Sequence, residues 1–111
     1  MYDLTYRPRR LRTSPEMRDL VRETTLDTTD LIYPLFIVPG EGIKKEIDTL
    51  PGQYHLSVDE AVKVAQEAYN LGIRGVEIFG IPTYKDEQGS SAWDMEQPVQ
   101  QAITAIRKAV P

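Results

Sequence analysis

Five lysines, one histidine and a glutamate inside an apolar run are the side chains of this sequence best suited to covalent or acid-base chemistry. A Schiff-base lysine needs an apolar pocket or a neighbouring cation to lower its pKa. Lys44, Lys45, Lys63, Lys85 and Lys108 all stand in polar stretches, and the adjacent Lys44 and Lys45 point apart in an extended segment. His55 is the single histidine, which rules out a multi-histidine metal site within one chain. Its setting reads as that of a surface or structurally satisfied residue, although histidine is the usual proton carrier near pH 7. Glu77 lies within Gly75-Val76-Glu77-Ile78-Phe79-Gly80, where a carboxylate serves either as an active-site group or as the partner of an arginine. Cysteine is absent, so thiol nucleophiles, disulfides and thiolate metal sites are all excluded. There is no G-x-G-x-x-G, no G-x-x-x-x-G-K-[ST] and no G-x-S-x-G, and Ser90 and Ser91 read as turn and capping residues.

The elements that would position these groups follow from apolar spacing. Residues 31–38, Leu-Ile-Tyr-Pro-Leu-Phe-Ile-Val, form a nearly continuous apolar run, which predicts a strand buried on both faces of a parallel sheet. Pro34 requires that its nitrogen face no partner or that the strand begin after it. Residues 75–79 predict a second inner strand, with Val76 and Ile78 on one face and Glu77 and Phe79 on the other. Each strand precedes an amphipathic helix. The first is carried by Val58, Ala61, Val62, Ala65, Ala68 and Tyr69, and closed by Leu71-Gly72. The second is carried by Val99, Ala102, Ile103, Ile106 and Val110 and begins between residues 94 and 98. Ser57-Val58-Asp59-Glu60 has the form of a capping box. Ser14-Pro15 starts a shorter helix with Met17, Leu20 and Val21 as its stripe, ending near residues 23–25, and Thr28-Thr29-Asp30 makes a polar turn. Between the two units, residues 43–56 show a weak pattern and read as a solvated connection in which Leu50-Pro51-Gly52 is a turn held by one buried leucine.

Composition describes an ordinary soluble globular protein, with 41% hydrophobic and 27% charged residues and a formal net charge of −4. The charge is uneven. Arg7, Arg9, Arg10 and Arg12 cluster around Pro8 in an extended N-terminal arm, fit to touch nucleic acid, an acidic protein surface or nothing but solvent. The acidic remainder and the lack of a basic, aromatic-rich surface argue against nucleic acid. No run is long enough to span a membrane and no secretory signal opens the chain, so a cytoplasmic location is expected. Chain 1–111 reads as one unit: an arm at 1–13 and an α/β body at 14–111. In strand-helix barrels the chemistry gathers at the carboxyl ends of strands. That points to residues 38–42 and 79–93, with Phe79 as a pocket wall or an ordinary core residue.

Several motifs carry a resemblance. Arg7-Pro8-Arg9-Arg10-Leu11-Arg12, Asp30-Leu31-Ile32-Tyr33-Pro34-Leu35-Phe36 and Leu50-Pro51-Gly52 come first. Leu71-Gly72-Ile73, Ile78-Phe79-Gly80-Ile81-Pro82, Lys85-Asp86-Glu87-Gln88-Gly89-Ser90 and Ile106-Arg107-Lys108-Ala109-Val110-Pro111 follow. In this order and spacing the chain resembles the porphobilinogen synthase (5-aminolevulinate dehydratase) family. The resemblance implies an α/β fold comprising an arm and the first two strand-helix units of a (β/α)8 TIM barrel, incomplete as given, since a full barrel takes about 250 residues. It implies a lyase that condenses two 5-aminolevulinate molecules into porphobilinogen for tetrapyrrole (haem) biosynthesis, with zinc or magnesium in the complete enzyme.

The family's catalytic lysines, metal ligands and carboxylate-binding arginines lie beyond the matched region. No catalytic and no metal-binding residue is therefore carried onto this chain, and it alone is expected to be inactive. The resemblance also implies a homo-oligomer of the octamer type, with Arg9, Arg10 and Arg12 as subunit contacts, and no nucleic-acid or membrane partner. Two other readings stand beside it: a non-catalytic assembly module that docks onto complete synthase subunits, and a small-ligand-binding α/β domain.

Overall fold

The computed structural model describes residues 5–111. Three helices, α1 (Pro15–Val21), α2 (Val58–Asn70) and α3 (Pro98–Ala109), accompany four strands, β1 (Ile32–Ile37), β2 (Lys44–Ile47), β3 (Leu50–Leu56) and β4 (Gly75–Gly80). The strands form one sheet in the order β2-β3-β1-β4. β1 runs parallel to both β3 and β4, and β2 runs antiparallel to β3. Both expected strand-helix units are present, as β1 with α2 and β4 with α3.

The connection between them differs from expectation. Residues 44–56 are a β-hairpin, and its second strand joins the parallel sheet at Phe36↔His55 and Ile37↔Leu56. Leu50 is 47% exposed, so it does not hold the turn by burial. The physical reason is that β2 is an outer edge with three exposed charged residues, Lys44, Lys45 and Glu46. Only the far half of β3 reaches the core, through Tyr54 and Leu56, so no apolar alternation marks the hairpin along its length.

Pro34 lies inside β1 and is tolerated for a geometric reason. Backbone N–H groups alternate sides along a strand. The Val38 N–H donates to the Leu56 carbonyl at 2.8 Å, so even-numbered residues of β1 face β3. The β1–β3 pairing reaches only Phe36 and Ile37, and the nitrogen of Pro34 therefore faces a stretch in which the two strands are not paired.

The sheet is covered on one face only. Leu35 and Ile37 pack with Leu56, Ala61, Ala65, Ala102 and Ile106, flanked by Tyr33, Val76 and Ile78. Alanines on α2 let that helix lie close to the sheet. On the opposite face Ile32 is 67% exposed and Phe79 is 47% exposed, which corrects the expectation that the first run is buried on both sides. Ile103 also falls outside the buried stripe of α3.

Caps sort the helix starts. Ser14 caps α1 by accepting the Met17 N–H at 3.1 Å. The reciprocal box expected at Ser57 and Glu60 does not form: Ser57 turns toward the loop after β1, and Glu60 pairs with Lys63 at 2.7 Å. A reciprocal box appears instead at Asp27 and Asp30, around the polar turn Thr28–Asp30. Gly72, at φ 95°, ends α2, with the Ile73 N–H reaching the Ala68 carbonyl at 3.0 Å.

Toward the N-terminus the chain leaves the body. α1 ends at Val21, slightly before the expected boundary, and buries no residue; Leu20 is 80% exposed. Arg10–Arg12 forms a 3-10 turn, residues 5–9 before it carry no helix or strand, and the first four residues of the expected arm lie outside those described. The Cα radius of gyration, 21.7 Å, exceeds the value of about 13 Å for a compact chain of this size, as a projecting arm requires. Among the described residues no helix is long and apolar enough to cross a membrane.

Candidate functional site at the carboxyl ends of the parallel strands

β1 and β4 end side by side at Ile37↔Gly80, and each runs into a loop fastened to the start of the following helix. After β1 the fastener is Ser57, which is fully buried. Its Oγ accepts the Ile43 N–H at 2.9 Å and donates to the Asp59 carboxylate. Asp59 also accepts the Gly42 N–H, at 3.0 Å through Oδ2. The Ser57 hydroxyl, assisted by Gly42, holds the Asp59 carboxyl below the usual carboxylate range.

After β4 the fastener is Gln97, only 5% exposed. Its Oε1 accepts the Thr83 N–H at 2.9 Å and the Thr83 hydroxyl at 3.0 Å. Further along the same loop Tyr84 donates to Asp94 at 3.1 Å, and the Ser90 N–H donates to Asp86 at 2.8 Å. Asp86 is lowered by its bonds from Ser90, and Asp94 chiefly by the Glu96 N–H. Tyr84 is raised by partial desolvation and by its bond to Asp94. These carboxylates are occupied in shaping turns. They shape two hydrogen-bonded loops, with a cavity of about 630 Å³ between α2 and α3 lined by Gly40, Asp59, Thr83 and Gln101 among others.

The sheet face turned away from the helices is the other part of the site. Strand register places Lys45, His55, Phe36 and Phe79 in one row across all four strands. Phe36 and Phe79 stack with ring centroids 5.5 Å apart. Glu77 shares this face, exposed, two register positions from the stack and opposite Pro34. It belongs to neither ion pair found among the described residues, so the expected arginine partner is not there. Sequence reading left His55 in a connection and missed its place in the row. The signal was the alternation of Tyr54 and Leu56 inward with Gln53 and His55 outward, too short to register as a strand.

No lysine meets the requirement for Schiff-base chemistry. Lys44, Lys45, Lys63, Lys85 and Lys108 are all exposed. Lys44 lies over the Tyr54 ring at 4.9 Å, and the Lys63 ammonium is raised by Glu60, opposite to the shift a nucleophilic amine needs. Among the described residues no group of three or more His, Cys, Asp or Glu side chains could hold a metal ion. Arg9, Arg10 and Arg12 are exposed. The arrangement supplies walls, a stacked aromatic pair and ordered loops.

Comparison with known proteins matches this arrangement. The family profile described as delta-aminolevulinic acid dehydratase covers residues 5–111. The delta-aminolevulinic acid dehydratase of Synechococcus elongatus is 54% identical over 107 residues, which are 96% of this chain and 33% of the relative. That of Ruminiclostridium josui is 50% identical over 105 residues, 95% of this chain and 51% of the relative. A crystal structure of the Toxoplasma gondii enzyme with its reaction product porphobilinogen superposes with a TM-score of 0.82 at 31% identity, over 97% of this chain and 31% of that one. The chain thus spans about a third of the length of the first of these relatives. Its β1–α2 and β4–α3 units superpose on that enzyme's TIM barrel. The chain belongs to the delta-aminolevulinic acid dehydratase family.

Proposed function

We propose that this chain supplies the arm and the first two strand-helix units of an enzyme that condenses two molecules of 5-aminolevulinate into porphobilinogen. The observation that carries the reading is the superposition on the porphobilinogen-bound Toxoplasma enzyme, together with the family match. The chain's own part is structural. Ser57 and Gln97 order the loops at the strand ends, and Phe79, stacked on Phe36, walls the substrate pocket. Reacting lysines, and the zinc or magnesium the family uses, come from the remainder of the barrel, and the 111 residues alone are inactive. The complete enzyme is a cytoplasmic homo-oligomer of the octamer type in which Arg9, Arg10 and Arg12 contact a neighbouring subunit through forked bonds.

The test is a chimera in which this chain replaces the matched third of the Synechococcus elongatus relative. Porphobilinogen formation within about tenfold of the parent supports the reading, a factor equal to ~1.4 kcal/mol of barrier. A soluble, inactive chimera sinks it, as does turnover by the isolated chain with both metals supplied. Alanine at Arg9, Arg10 and Arg12 lowers the chimera's sedimentation coefficient; unchanged sedimentation removes the arm from the interface.

A second reading, an assembly module docking onto complete subunits, is favoured by α1, which presents Leu20 and Val21 to solvent and buries nothing. Capture of this chain by the intact relative, lost on Leu20→Asp, would select it.

A further inference from the structure

We infer that a cavity at the amino end of β4 binds a small organic carboxylate, gripped by the guanidinium groups of Arg74 and Arg107 over apolar walls. The cavity lies on the helix side of the sheet, at the opposite end of β4 from the loops described above. It therefore belongs to neither part of that site.

A cation stands at each of two neighbouring chain turns. α2 stops at Gly72, and Ile73-Arg74 leads straight into Gly75, the first residue of β4. α3 carries Arg107 and Lys108 in its last turn. Because the two helices pack together on one face of the sheet, their carboxyl ends meet beside the start of β4. Between them is a cavity of about 350 Å³, lined by Tyr69, Arg74, Val76, Ile106 and Arg107 among others. That volume falls within the range of small-molecule sites.

Both guanidinium groups lack an acidic partner. Among the described residues the ion pairs are Arg22 with Asp19 and Lys63 with Glu60. The arginines that donate side-chain hydrogen bonds there are Arg18 and Arg22. Arg74 is nevertheless held in place, with its guanidinium 4.9 Å from the centre of the Tyr69 ring. That attraction draws on the charge distribution of the ring and uses none of the N–H donors. A planar fork fixed on a ring and short of acceptors suits a carboxylate, which accepts two parallel N–H bonds.

Complementing the helix ends does not account for this pair. The carbonyls of Glu67, Ala68 and Tyr69 at the end of α2 already accept the N–H groups of Leu71, Ile73 and Gly72. At the end of α3, Lys108 gives the same electrostatic complement from outside the cavity. What Arg107 adds is convergence with Arg74 on one space.

The walls select among anions. Tyr69, Arg74 and Arg107 bring the only polar side chains lining the cavity, and the rest of the lining, Ala65, Val76 and Ile106 included, is apolar or glycine. Phosphate gains nothing from such walls, whereas a carboxylate on an aromatic or branched alkyl body buries its carbon against them. Bound there, it ties the turn before β4 to the end of α3.

Benzoate is the probe, titrated into the isotopically labelled chain while its NMR signals are followed. The same titration is run on the chimera, in which the chain continues past Pro111. Saturable shifts confined to Tyr69, Arg74, Val76, Ile106 and Arg107 are expected, with neutral benzamide weaker by about tenfold. Arg74→Gln and Arg107→Gln should each weaken benzoate by about tenfold, as for loss of a bond between charged groups. Lys108→Gln removes the same charge outside the cavity and should leave binding within about twofold. Confined shifts in either protein, lost with each arginine, support the site. Shifts in neither, phosphate bound as tightly as benzoate, or equal loss from Lys108→Gln overturns it. Binding is read without turnover, so an inactive chimera that still takes benzoate supports the site while defeating the proposed reaction.

Discussion

The two flanks of the sheet share the central strand β1 yet are finished in opposite ways. On one side the hairpin β2–β3 ends in a charged, irregular edge and is clasped to α2 by Ser57 and Asp59. On the other, β4 ends in an unprotected edge with outward backbone groups and an exposed Phe79. The difference teaches that, among the described residues, one edge of the sheet is guarded against pairing and the other is not. An edge that stays free is short, charged or bulged, and one that receives a strand needs none of these.

The largest effect should come from the strand common to both flanks. Ile37 is fully buried, so Ile37→Ala is expected to cost about 2–5 kcal/mol, whereas Ile32→Ala on the bare face should stay within about 0.5 kcal/mol. Denaturant unfolding measures both. If the two substitutions cost the same, the two faces of β1 do not differ as described.

Next is the clasp. Ser57→Ala leaves the Ile43 N–H without its side-chain acceptor and should cost about 1–3 kcal/mol. Hydrogen exchange should rise in β2 and β3 and stay level in β4. A uniform rise would show that the flanks open as one unit.

Smaller is the alternation along β4 itself. Amides of Val76 and Ile78 should exchange about tenfold faster than those of Glu77 and Phe79, because only the latter donate toward β1. Equal rates would mean that the edge is already covered, for instance by self-association.

The smallest effect is the acid response of the hairpin flank. Asp59 has its folded-state pKa lowered, so its contribution is present above the ordinary carboxylate value of 3.8 and is lost as pH falls through the lower folded value. Below about pH 4 the wild-type hairpin should loosen slightly, and Asp59→Asn should remove that pH dependence while leaving β4 unaffected. An identical acid profile in wild type and variant would take Asp59 out of the clasp.

Much of this was legible beforehand because it is written in local spacing. The strands at β1 and β4, the helices α2 and α3, the Ser14 cap and the Gly72 stop all follow from neighbours within a few residues. Phe79 was placed opposite Val76 and Ile78 by alternation alone, and the structure puts it there. The hairpin was missed because its charged edge carries no apolar alternation, and the box at Ser57 failed because the distant Ile43 N–H takes the Ser57 hydroxyl and Lys63 takes Glu60.

By itself, then, the sequence determined the α/β order, the family and the absence of any thiol or multi-histidine chemistry, since these depend only on residue type and short-range period. Tertiary structure alone decided that β3 lies beside β1, that His55 stands in a row with Phe36 and Phe79, and that β4 keeps a free edge. Strand neighbours are chosen by backbone hydrogen bonds between distant segments. Every residue but proline carries the same N–H and C=O, so that choice leaves little trace in the order of the side chains.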